Sequence, residues 1–343
     1  MATGGPRKDG AEVNDTPELW RKELAALPEL DALNGALPSV FLAHGSPMLI
    51  HPPHLANARG GPLGAVQGPK APLAWFLKDL GPALMDKYRP KAIVVLSAHW
   101  ESPGGGLVTD YGDENPLLFD YFGFPDELYQ VKFHSRGDHD VSERVVEVLQ
   151  AAGIKSARLT TKLEARGQDG RGFEGPGLDH GVFVPFLHMF GESAPVPVVE
   201  VSIPSDFSPA AQYKFGAALA PLRSEGILLI SGGLTVHTFR DFSAFSPETA
   251  KSIFRAFEKS IVEAVSQSDH HTELYVTPYS QSEERHDAMA NLVQHPGFRA
   301  AHPREEHFVP LYVAEGAGST GGSATGSRLV CGLWGAKTVV FGT

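Results

Sequence analysis

The stretch KAIVVLSAHW, residues 91–100, decides how this chain is read. Five apolar residues in succession, three of them β-branched, fit a strand buried on both faces better than an amphipathic helix. The run ends in small residues and then His99. The same form recurs in SVFLAHGSP (39–47), PVPVVEVSIP (195–204) and GILLISGGLTVH (226–237), and RLVCGLWGAKTVVFG (328–342) reads as one or two final strands.

Between these runs lie stretches with apolar residues at helical spacing. They are PLAWFLKDLGPALMDKY (72–88), VSERVVEVLQAAG (141–153), residues 212–224 and TAKSIFRAFEKSIVEAVS (249–266), with shorter ones at 286–292 and 311–316. Residues 21–34 predict a short helix interrupted at Pro28. Strands alternating with helices, the strands nearly all apolar, predict an α/β fold. The expected architecture is a single domain with a central mixed β-sheet flanked by helices on both faces. Residues 1–37 are expected to form a polar, partly disordered N-terminal tail, with the catalytic domain spanning 38–343. Two glycine-rich segments, 164–177 and 315–327, are expected to be flexible surface loops.

Composition narrows the class. Of 343 residues, 42% are hydrophobic and 20% charged, which supports a sizeable core and excludes wholesale disorder. The net charge of −11 argues against nucleic acid or an anionic membrane as the partner. The lone cysteine, Cys331, cannot form an internal disulfide, and it is expected to be buried in a C-terminal strand. No apolar run is long enough to span a bilayer, and the N-terminus lacks a signal core, so a cytoplasmic enzyme is expected.

The histidines carry the chemistry. His44, His99 and His237 each stand at or just beyond the end of an apolar strand. In a mostly parallel sheet those ends share one edge, where ligands of α/β proteins bind. Neutral imidazole is a common ligand for iron and zinc, and three such ligands leave positions open for substrate. His180, in GLDHGVFVPF (177–186), and His307, in AHPREEHFVPL (301–311), are further candidates. Asp179 adjoins the first, while Glu305 and Glu306 adjoin the second and could orient its ring. Glu200, in VVEVSI, is an alternative carboxylate ligand. His51 and His54 lie in a proline-rich loop that could border a pocket mouth. His134, His139, His270 and His271 sit in polar stretches, and His188 suits a core position. His286, His295 and His302 stay undecided.

In seven segments the chain resembles the class III extradiol dioxygenases, of the 4,5-DOPA dioxygenase type. They are FLAHGSPM (41–48), KAIVVLSAHWES (91–102), YFGFPDELYQVKF (121–133), GLDHGVFVPFLHMF (177–190), VPVVEVSI (196–203), LLISGGLTVHTFRDF (228–242) and HPREEHFVPLYVA (302–314). The resemblance implies a single α/β domain that opens a catechol-type ring with O2 at a non-haem metal. It assigns His44, His99 and His237 as metal ligands. His180 becomes the acid–base residue, sometimes counted as a fourth ligand, and His307 a residue lining the pocket. Fe(II) is the expected ion, with zinc possible. The implied partners are a small aromatic diol and O2, in a monomer or homodimer. The chain departs from the pattern at Thr238, where asparagine often follows the histidine, in its long loop before His180, and in its N-terminal tail. Two other readings stay open: a zinc-dependent hydrolase on the same scaffold, and a metal-binding homologue without catalysis. Arg240 and Arg304 could bind a substrate carboxylate or simply lie at the surface.

Overall fold

Ile230 pairs with Val40 on one side and Val95 on the other, and this row of three β-branched residues crosses the centre of the sheet. The computed structural model describes residues 15–52, 54, 61–164, 166, 172–266, 278–320 and 325–343. The strands are β1 (Ser39–Ala43), β2 (Ala92–Ser102), β3 (Leu107–Thr109), β4 (Arg158–Thr160), β5 (Val198–Pro204), β6 (Ile227–Gly233), β7 (Ser327–Cys331) and β8 (Thr338–Phe341). They form one sheet in the order β4-β3-β5-β2-β6-β1-β8-β7. The central run β5-β2-β6-β1 is parallel, whereas β8 lies antiparallel on β1, β7 on β8, and β3 on β5. The expected mixed sheet is therefore present, and every residue of β1, β2, β5 and β6 is buried.

The helices are α1 (Pro17–Ala25), α2 (Gly61–Gln67), α3 (Pro72–Tyr88), α4 (His139–Ala151), α5 (His180–Phe190), α6 (Pro209–Leu219), α7 (Pro221–Ser224), α8 (Ser252–Val265), α9 (Pro278–Ala290), α10 (Phe298–Ala301) and α11 (Pro310–Ser319). They cover both faces. Apolar residues of α1, α3 and α5 join one core with the sheet, and those of α4, α6, α8 and α11 join another on the opposite side. Such two-sided covering is what nearly continuous apolar strands require. No helix among the described residues is long and apolar enough to cross a membrane.

Several local expectations change. The core starts earlier than Leu37. Trp20 of α1 is fully buried, stacks edge-on against Phe76 and donates its indole N–H to Asp79 at 2.8 Å. A single large aromatic in a polar segment shows no periodicity, so nothing in the pattern announced it. Residues 1–14 of the expected tail lie outside the described residues, as do His270 and His271. The first part of the glycine-rich segment 315–327 is not a loop: Glu315–Ser319 completes α11, where small residues let it pack closely on α6. Strands β3 and β4 were not foreseen, because three residues are too few to show a period. Cys331 is buried in β7 as expected.

Candidate active site

The carboxyl ends of β1, β6 and β2 lie side by side, and each delivers a histidine. His44 follows the last residue of β1, and its amide donates to the Gly233 carbonyl at the end of β6. His99 lies within β2 rather than beyond it, at an irregularity where the pairing with β5 shifts between Ser97 and Glu101. Bulges beside active sites commonly re-aim a side chain in this way. His237 stands four residues past Gly233, held by its backbone N–H, which donates to the Ala301 carbonyl at 2.9 Å.

Two more histidines arrive from other segments. His180 is the first residue of α5. His307 comes from the turn before α11, whose carbonyl accepts the Leu234 N–H at 2.8 Å. Two glycines permit this crowding. A Cβ on Gly233 would sit 2.4 Å from the His307 carbonyl oxygen, and one on Gly181 would sit 2.7 Å from His99 Nδ1. No side chain fits at either place.

The rings converge unequally. His99 stacks on His180 at 4.0 Å between centroids, and His44 meets His99 at 5.0 Å and His307 at 5.2 Å. The Nε2 atoms of His99 and His307 are 3.0 Å apart. His44, His99 and His307 have ligand atoms within 4.8 Å of one another, as do His99, Asp120 and His180, and His237, Glu306 and His307. The sequence grouped His237 with His44 and His99, but its ring lies flat against His307, at 3.5 Å, and it is His307 that completes the compact trio.

The trio has the character of a cation site. Both ring nitrogens of His44 are buried with no hydrogen-bond partner among the described residues, an arrangement that costs free energy unless something binds there. Burial holds the imidazoles of His44, His99 and His307 below their ordinary pKa, and neighbouring histidines add to the effect, so they are neutral donors near pH 7. Carboxylates stand behind them, since His307 Nδ1–H donates to Glu306 at 2.9 Å and His99 Nδ1 lies 3.6 Å from Asp179. Such partners orient ligating histidines in metal sites. The residues thus fit a divalent ion.

Around His180 the partner is not its neighbour in sequence. Asp179 instead accepts from Ser97 Oγ at 2.9 Å and meets Arg166. His180 donates both its backbone N–H, at 2.9 Å, and its ring Nδ1–H, at 2.7 Å, to one oxygen of Asp120. Burial alone would raise the Asp120 carboxyl, but His180, Arg166 and His99 outweigh it and hold the group below the ordinary carboxylate range. Arg166 comes from the segment expected to be a surface loop, yet it is buried. It donates to Asp120 at 2.7 Å and twice to the His99 carbonyl, at 3.1 and 2.9 Å. Asp120 and Arg166 were missed. Neither sits in a local pattern, although Asp120 immediately precedes the segment YFGFPDELYQ.

The remaining candidates have other places. Glu200 belongs to none of the three groups; it accepts the Asp179 N–H, and burial with Asp179 nearby pushes its carboxyl well above the ordinary carboxylate range. His188 donates to the Leu49 carbonyl and His302 pairs with the Thr235 carbonyl, both as structural residues. His51 is buried, whereas His54 is exposed near Glu127. Arg304 pairs with Glu101 and Glu306 beside His307, and Arg240 is exposed. Thr238 is buried, and its hydroxyl accepts the Arg240 N–H. Of the five site histidines, His180 and His237 leave the largest parts of their side chains open, at 13% and 20%, so the cluster is reached from their side. Exposed Phe239 packs edge-on against His237 at that rim.

A cluster of buried imidazoles at the parallel strand ends of an α/β sheet, backed by carboxylates, has the make-up of a site that could hold a metal ion. Residues 41–342 match the family described as the catalytic LigB subunit of aromatic ring-opening dioxygenase, and the chain belongs to that family. It is similar to the 4,5-DOPA dioxygenase extradiol-like protein of Schizosaccharomyces pombe, 40% identical over 94% of this chain and 96% of that one. The 4,5-DOPA dioxygenase extradiol of Beta vulgaris is 30% identical, covering 88% and 94%, and that of Escherichia coli K12 is 28% identical, covering 82% and 85%. A solved structure of an uncharacterized Escherichia coli K12 protein shares the fold, with a TM-score of 0.56 at 22% identity over 89% of this chain and 99% of that one. The chain is an aromatic ring-opening dioxygenase of this family.

Proposed function

We propose that the protein cleaves catechol-type rings in the extradiol manner, with His44, His99 and His307 holding a divalent ion and His180 moving the protons. Fe(II), bound there, would supply one centre at which a catechol and O2 meet, the service that non-haem iron provides in such reactions. The observation that carries this reading is the compact, neutral, carboxylate-backed trio, in which His44 has two unpartnered buried nitrogens.

His180 adjoins His99 and faces the open side, so its Nε2 is placed to take a proton from a catechol hydroxyl and return it later. Tyr121 packs edge-on against His180 and keeps that ring from turning away. His237 and Phe239 form the opposite wall, where an aromatic ring can stack and a hydroxyl can be hydrogen-bonded. The resemblance gave His237 a ligand's role and His307 the pocket's; in this reading the two exchange roles. The names of the relatives make DOPA the first substrate to try, with cleavage at its 4,5 bond.

The test is oxygen uptake and product absorbance with a catechol panel, after anaerobic loading with Fe(II) and, in parallel, with zinc. The expected result is stoichiometric O2 consumption with Fe(II) and none with zinc. An all-histidine set also suits zinc. Absence of O2 uptake in both, together with ester or amide hydrolysis by the zinc form, would replace this function with a hydrolytic one.

A further inference from the structure

We infer that Asp120 is a positioning residue, locking His180 as the tautomer with its proton on Nδ1 and its free electron pair on Nε2. This rests on the acid–base role given to His180 above. A carboxylate oxygen only accepts, and Asp120 Oδ1 faces both the backbone N–H and Nδ1 of His180, at 2.9 and 2.7 Å. With two bonds to one residue the ring is fixed in orientation as well as in tautomer. The backbone bond also completes the start of α5, whose preceding residue, Asp179, makes no side-chain cap there.

Asp120 is itself held. Its second oxygen accepts from Arg166 at 2.7 Å, and this guanidinium also donates to the His99 carbonyl and to the Phe173 carbonyl. Arg166 and the two ionised carboxylates, Asp120 and Asp179, form a buried network linked through backbone and side chain to both His99 and His180. Such a network specifies geometry, and it penalises any member that loses its partner. The direction of catalysis follows. An imidazole whose Nε2 is unprotonated begins as a base toward a catechol hydroxyl. The reverse tautomer would present an N–H instead and could not accept that proton.

The experiment has two arms. Ring-nitrogen NMR on the zinc-loaded full-length chain at pH 8.5 reads the His180 tautomer directly. The expected signature is a protonated Nδ1 with an unprotonated Nε2, and a protonated Nε2 would overturn the inference. In the second arm, Asp120→Asn in the Fe(II) enzyme should lower kcat about 10²–10⁴-fold, the usual worth of acid–base catalysis, with KM and metal content within about threefold of wild type. Asp120→Glu, which keeps the charged carboxylate with both accepting oxygens where Asn turns one of them into an NH2 donor facing Arg166, should recover part of the loss. An Asn variant with wild-type kcat would overturn the inference, as would equal losses in the Asn and Glu variants. Wild-type enzyme inert toward every catechol would count against the function and leave the tautomer to be decided by the NMR arm, which also decides should Asp120→Asn fail to fold.

Discussion

His237 and His307 lie face to face, with ring centroids 3.5 Å apart and planes 15° from parallel, and Glu306 reaches both. Only His307 adds its ligand atom to those of His44 and His99. The two histidines therefore differ in what their removal costs. His307→Ala should weaken metal binding by more than about 100-fold. His237→Ala should weaken it by only about 10–100-fold, the range of an outer partner, while still lowering turnover. Calorimetric titration of metal into each variant measures this, and the opposite ranking would return His237 to the ligand set.

Gly181 offers a sharper probe because it removes no functional group. A methyl there would sit 2.7 Å from His99 Nδ1 and 2.9 Å from Ser97 Oγ. Gly181→Ala should push the His99 ring from its place, lowering metal affinity at least tenfold while α5 is retained. Far-UV circular dichroism and metal content, taken on one sample, report both. Full metal content in this variant would mean that the site tolerates displacement of His99.

Arg223 is buried, with no carboxylate partner among the described residues. It donates to the carbonyls of Leu37, Ala317, Gly318 and Thr320, three of them at the end of α11. A cation at a helix C-terminus satisfies carbonyls the helix cannot. Burial lowers the guanidinium pKa to about 10, so it keeps its proton at neutral pH. Arg223→Met should destabilise the chain by about 3–5 kcal/mol in urea unfolding, and Arg223→Lys should recover little, since one ammonium cannot reach four carbonyls. A loss below about 1 kcal/mol in Arg223→Met would show that water replaces the guanidinium.

Acid should unfold the protein partly through His302. Burial lowers its pKa to about 3, against about 6.5 in an unfolded chain. Between those values the unfolded chain binds a proton that the folded one does not. Stability contributed by the neutral ring is thus complete above pH about 6.5 and is lost as pH falls toward 3. His302→Gln keeps a donor for the Thr235 carbonyl but does not titrate, so its acid midpoint should fall relative to wild type, in metal-free samples of both. An unchanged midpoint would assign the acid sensitivity to the site histidines alone.

Much of this was legible in the chain itself, for a physical reason. Strands buried on both faces must be apolar along their whole length, so SVFLA, AIVVL and ILLIS declare themselves, and His44 and His99 are fixed by where those runs stop. His237 and His307 were both visible as candidates, yet their roles hang on how the loop after Gly233 passes the turn before α11. That depends on a close backbone approach rather than on any local pattern. Asp120 and Arg166 are polar residues in irregular segments, and only burial distinguishes them from solvated ones. Trp20 shows the same limit from the apolar side, because its segment reads as polar while its one large ring is in the core.

The strands that carry His44 and His99 flank β6, the middle of a hydrogen-bonded parallel run, so the ion's seat shares the rigidity of the most protected part of the molecule. Phe239 belongs to an irregular segment outside that run. Reshaping the wall to admit a different aromatic substrate is therefore separable from the footing of the histidine cluster. Engineering of specificity can begin at the rim with little risk to the core chemistry.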